Sequence, residues 1–395
     1  MTVTFTRLAS ALAMATALAA APAAGAQDHS GHTAQGSAAE QASHRLHALF
    51  ERSEAEMLDR NPVAAFFRGD FSDADRIGDY SPASYAADRA AAEEYLAELA
   101  TIDRESLGET DRIAYDVFEY TQQRTLAQTA PDVLPTVLAL PIDHFRGLHV
   151  FYPRLSAPGA LMPFDTVEDY RNNFARHREF AQIVDQAIER FRAGAAQGIT
   201  LPRMSVELMI EQLDLQTGTA VEKSPYWAPV ANFPDSFTAT ERERLLGEHR
   251  AVLAGTLMPA LQKLRDFLAS EYLEQSRTSI AATDNPGGDA YYSYRIEENT
   301  TLPLTAQQIH ETGLAEVARI NAAIDAAEAE ADGRTGKTYT SKAELQAAWY
   351  EVAEQVDPLM DRVFLRQPKT ELRIEPYEPY REKFSLAASY SAGKA

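Results

Sequence analysis

The chain has no cysteine. That excludes disulfides, thiolate catalysis and any cysteine-ligated metal. Basic residues are scarce as well: 37 Lys and Arg stand against 58 Asp and Glu, for a formal charge of −21. Such a surface repels phosphate backbones and anionic lipid heads, so nucleic acid is disfavoured as a partner. Beyond the first 26 residues there is no long apolar run, so no membrane span is expected. The common catalytic strings are missing too. There is no G-x-S-x-G elbow, no phosphate-binding G-x-x-x-x-G-K-[ST] loop and no G-x-G-x-x-G turn. The nearest approach to H-E-x-x-H is His310-Glu311-Thr312-Gly313-Leu314, with leucine where the second imidazole would stand.

What is present begins with an export signal. Arg7 is followed by an alanine-rich apolar run, Pro22 breaks it, and Ala24-Gly25-Ala26 offers the small residues that signal peptidase accepts. Residues 1–26 therefore read as a signal peptide cleaved after Ala26, which places the mature chain in the periplasm or outside the cell. Residues 27–43 are small and polar and read as a flexible leader. His29 and His32 are then solvated side chains, and His44 and His47 repeat their spacing without adding a third ligand.

From position 44 onward apolar residues recur with helical period. Leu46, Leu49 and Phe50 share one stripe, and Asn61-Pro62 stops it. Ser81-Pro82 opens a second helix, and a third over 111–128 sets Ile113, Val117 and Tyr120 in register. Prolines 131, 135, 141, 153, 158 and 163 argue against regular helix over 129–163, an apolar interval expected to stay partly uncovered. Thr166 and Asp169 form a capping-box-like start for a long helix with Tyr170, Phe174, Val184, Ile188 and Phe191 inward. Leu201-Pro202 opens another, and a helix over 240–275 should kink at Pro259. Short helix follows over 289–299, then helices from Thr305 to about 332 and from Ser341 to about 365. Leu372 to Tyr377 alternates and ends near proline, which suits one short strand near 370–377. The fold class is mainly α: a large multi-helix bundle, one helical domain over 44–395.

His144 and His149 in the proline-rich interval, and His310 on a helix, are the histidines that could act as a base or lone ligand; buried or capped structural roles are the alternative. Carboxylate pairs such as Glu297-Glu298 read as solvated helix surface.

Residues 285–320 carry a fuller pattern. Ala290-Tyr291-Tyr292, Tyr294, Thr300-Thr301, Leu304-Thr305, Ile309-His310-Glu311, Gly313-Leu314, Glu316-Val317 and Arg319-Ile320 resemble a stretch of the bacterial family known as domain of unknown function 885. Segments such as DRIAYDVFEY, TVEDYRNNFAR and SPYWAPVANFP resemble the family in the same order. The resemblance implies an exported, helical, metallopeptidase-like protein acting on peptides. It implies a zinc site built on an H-E-x-x-P-G-H-H-like string lying beyond Ala395, so that this chain is the N-terminal part of the family fold. On that reading the chain holds no metal, hydrolyses nothing alone and contributes cleft walls, with Tyr291, Tyr292 and Tyr390 as candidate lining residues or, equally, packing residues. It should also expose apolar surface within 341–395 and 129–163. Two other readings stay open: a non-enzymatic binding or scaffold protein of the cell envelope, and a different hydrolase using His144, His149 or His310. Oligomeric state is not legible.

Overall fold

Helices and turns account for nearly all the regular structure in a computed structural model that describes residues 38–145, 147–331, 337–367, 371–377, 382–385 and 388–390. Residues 1–37, which hold the expected signal peptide and most of the leader, lie outside the described residues. The chain divides into two units, Met1–Leu302 and Pro303–Ala395, where the sequence suggests one domain over 44–395.

In the first unit, α1 (Ala38–Arg60) begins inside the expected leader and buries Ala42, Leu46, Leu49 and Ser53, one residue per turn. Asn61 ends it, and Pro62 starts α2 (Pro62–Phe66), where its missing amide costs nothing. Helices α3 (Pro82–Leu99) and α4 (Glu109–Gln128) pack with α1 around Leu46, Leu49, Tyr95, Leu99, Tyr115 and Phe118. The α4 stripe expected inside is the wrong one. Ile113, Val117 and Tyr120 are exposed, and Phe118 turns inward to meet Phe50 with ring centroids 4.9 Å apart.

The interval 129–163 also departs from expectation, because it folds into two short helices, α5 (Leu134–Ala139) and α6 (Leu148–Leu155). Pro135 sits in the first turn of α5, where proline is tolerated. Pro153 lies inside the eight-residue α6 and cannot donate to His149 O. Gln216 fills that vacancy, its Nε2 donating to His149 O at 3.1 Å. Val137, Ile142, Tyr152, Leu155 and Met162 are among the interval's buried apolar side chains, and most of the others are half-buried. Phe145 is the exception at 62% exposure.

The longest helix, α7 (Val167–Ala196, 30 residues), starts with the capping box read from Thr166 and Asp169. It runs through the main core, flanked by α8 (Arg203–Thr217), by α9 (Ala228–Ala231) in the second proline-rich interval, and by the helical run 239–275. That run comprises α10 (Ala239–Val252), α11 (Met258–Phe267) and α12 (Leu273–Gln275), joined by π turns over Leu253–Leu257 and Leu268–Tyr272. Met258 N donates to Leu253 O, so the ladder widens just before Pro259, which would otherwise crowd the preceding turn. At the α5–α7 crossing, a Cβ on Gly194 would stand 2.4 Å from Ala139 Cβ, so only glycine fits. Gly287, at φ 70°, caps α13 (Gly288–Thr300), which packs Tyr294 on Val133 and Val137.

The second unit holds α14 (Ala306–Ala331) and α15 (Lys342–Val356), followed by a 3-10 stretch over Asp357–Arg362. The last helix is thus shorter than the expected reach to 365. Thr305 and Gln308 cap α14 reciprocally, Gln308 N donating to Thr305 Oγ1 at 3.2 Å and Thr305 N to Gln308 Oε1 at 2.8 Å. Residues 371–377 form no strand; Ile374 N donates instead to Tyr350 Oη on α15 at 3.0 Å. Neither α14 nor α15 buries a residue, and Val317, Ile320, Ile324, Leu345, Trp349 and Val352 are exposed.

Candidate functional site

The densest set of chemically capable side chains lies in the first unit, where α6, α7, α8, α10 and the turn Pro225–Trp227 meet. Its centre is His177, fully buried on α7. The residue before it, Arg176, is also buried, its guanidinium donating to Ala74 O, to Leu155 O at 3.3 Å and, one turn back, to Asn173 Oδ1 at 3.3 Å. Arginine can only donate, so the Asn173 oxygen must face it and the Asn173 amide nitrogen must face His177 Nε2, 3.1 Å away. Nε2 is therefore an acceptor. The ring proton sits on Nδ1 and is donated to Tyr152 Oη at 2.8 Å.

The same reasoning fixes two more imidazoles. His249 Nε2 lies 2.9 Å from Tyr226 O, a carbonyl that only accepts, so Nε2 carries the proton. Gln212 Nε2 donates to His144 O at 2.8 Å, which turns Gln212 Oε1 toward His149 Nε2 at 3.2 Å and puts that ring's proton on Nε2. In both rings Nδ1 is left bare, with no protein partner. Tyr226 Oη donates to Gln216 Oε1 at 2.6 Å, closing the circuit to the carbonyl orphaned by Pro153. The rings also pack closely: His177 and His249 centroids are 5.9 Å apart, and Trp227 lies 5.7 Å from His249.

Burial decides the electrostatics. It pulls His149 and His249 down to about 4. It pulls His177 well below the usual histidine range, with the charges of His249 and Arg176 pushing the same way. Burial raises the Tyr152 hydroxyl and lowers Arg176 to about 10, which leaves the guanidinium charged at neutral pH. The set is a sealed lattice of neutral imidazoles around a buried cation. It can hold elements together, but its reactive atoms face protein and not solvent.

The residues singled out from sequence are scattered. His149 joins the lattice; His144 is half-buried beside Phe145, with burial lowering its pKa; His310 is exposed on α14. Tyr291 packs against the Val133–Val137–Tyr294 cluster, its neighbour Tyr292 is 40% exposed, and Tyr390, in the second unit, is 79% exposed. His47 meets Asp111 at 3.1 Å while Ser43 Oγ meets the other carboxylate oxygen at 2.6 Å. With the carboxylate in the middle, the imidazole cannot activate the hydroxyl. Zinc needs three or four converging N or O donors. Among the described residues no three His, Asp or Glu side chains converge that way, so these residues do not assemble a site for the metal. His177 and His249 were not apparent as candidates, yet a signal existed. Tyr170, Asn173 and His177 follow helical spacing on the buried face of α7, as Leu245, His249 and Val252 do on α10.

The sequence profile of a family described as "Bacterial protein of unknown function (DUF885)" matches residues 62–395. No curated protein matches the chain. Among solved structures, "the putative lipoprotein from Colwellia psychrerythraea" is similar in fold, with a TM-score of 0.73 at 18% identity over 87% of this chain. The match covers 64% of that relative's length, so the present chain spans less than two thirds of it.

Proposed function

The chain belongs to the bacterial family DUF885, and from that premise we propose that it forms the helical body of an exported, zinc-dependent peptidase-type protein whose metal ligands lie outside these 395 residues. The observation that carries this reading is the pairing of a family match over 62–395 with the lack of a converging donor set among the described residues. The longer solved relative and the uncovered apolar residues of α14 and α15 support it, since helices meant to pack on further chain would carry such faces. Tyr291, Tyr292 and Tyr390 keep the role of candidate cleft residues for a peptide, with Tyr292 and Tyr390 exposed enough to touch one. Among the described residues no side-chain set supplies a catalytic step. Purified and supplied with zinc, it should release no amino groups from a peptide mixture. Turnover that a chelator abolishes would sink the proposal.

A binding or scaffold role in the cell envelope is the second reading, favoured by the same uncovered faces. It gains if the chain stays inactive when the rest of the longer fold is supplied as a separate polypeptide. Export itself is checked by the mass of the mature protein, expected to begin at Gln27.

A further inference from the structure

We propose that His149, His177 and His249 form an acid-released latch, holding α6, α7, α8, α10 and the 225–227 turn together while neutral and letting the junction open once protonated. The inference stands on the lattice and is independent of the peptidase reading.

The geometry makes each added proton unwelcome for a separate reason. On His177 it would have to enter at Nε2, where the Asn173 amide already donates, so two donors would oppose each other. On His249 and His149 it would enter at the bare Nδ1, which faces no acceptor. A Cβ on Gly147 would come within 2.5 Å of His149 Nδ1, which shows how closely backbone covers that atom.

The surrounding charges offer no relief. His177 is faced by Tyr152 from α6, by Arg176 and Arg178 of its own helix, by His249 from α10 and by Tyr226 from the turn. His249 is faced by Phe174, His177, Tyr226 and Trp227, with Arg250 lying over the far ring. His149 is faced by Gln212 and Gln216 of α8, with Asp143 and His144 of its own loop acting only through charge. Glu179, whose charge acts on Tyr152, accepts from Ile77 N and Gly78 N. A proton on His177 or His249 would also repel one on the other, and Arg176 repels a proton on His177, so the first to charge weakens the whole junction.

A histidine whose folded pKa lies below its unfolded value binds fewer protons when folded. Stability is then full above about 6.5 and falls as pH drops toward about 4. The wild-type chain tests this directly. Unfolded in urea at pH 5.5 with an indicator dye, it should take up about two to three protons per molecule, and its unfolding constant should rise roughly 150-fold from pH 6.5 to 5.5. His249→Gln, which keeps a donor toward Tyr226 O, should reduce that rise to roughly 30-fold. Uptake below about two protons, or a rise unchanged by the substitution, overturns the latch.

Discussion

Gln216 shows how one side chain can decide a junction. Its amide nitrogen serves the carbonyl that Pro153 orphans, and its oxygen receives the Tyr226 hydroxyl. Both partners are buried, so neither can turn to water. Gln216→Leu keeps the volume but removes both the donor to a buried carbonyl and an acceptor of the Tyr226 hydroxyl, which should cost about 2–4 kcal/mol. A lower urea midpoint with an unchanged slope is the expected result; an unchanged midpoint would mean that water replaces the amide. Arg176 illustrates the converse arrangement, a buried cation held by carbonyls and one amide oxygen, with Asp75 and Asp169 felt only at a distance.

Among the elements, α5 and α7 meet where Gly194 faces Ala139. The obstructing atoms include Ala139 Cα at 2.8 Å, which is backbone and cannot swing aside. Gly194→Ala should therefore destabilise the first unit by about 1–3 kcal/mol despite its better helix propensity. A melting temperature equal to wild type would show that the crossing can widen. Helix starts were legible because capping is local: Thr166 with Asp169, Thr305 with Gln308 and Ser341 with Glu344 all cap as their spacing says. What failed depended on distant partners. Prolines masked α5 and α6, because whether Pro153 breaks a helix depends on a glutamine some sixty residues on. Period alone could not choose between the two apolar faces of α4, since Phe118 is decided by its partner Phe50 and not by its own helix. The alternation over 371–377 read as a strand, but among the described residues no neighbouring strand pairs with it, and Tyr350 takes up its backbone. The histidine lattice stayed hidden for the same reason: its members come from four helices and a turn.

At the level of the whole molecule, the two units differ in kind. The first has an extended apolar core with buried side chains on nearly every long helix. In the second, α14 and α15 bury nothing, so their hydrogen bonds rest on helix propensity and capping. Amide exchange followed by mass spectrometry should find peptides from 306–356 exchanging far faster than peptides from 167–196. Equal protection would mean that something covers the second unit's helices in solution.

The chain has only two tryptophans, one in each unit, and their surroundings are opposite. Trp227 rests against the His249 imidazole, while the indole of Trp349 stands in water. Iodide should therefore quench the light from Trp349 first, leaving Trp227 as a resident witness to the ring beside it. A charged imidazole dims an adjacent indole without changing its colour, whereas loss of the fold reddens it. The order in which dimming and reddening arrive on acidification thus distinguishes charging inside an intact core from its collapse.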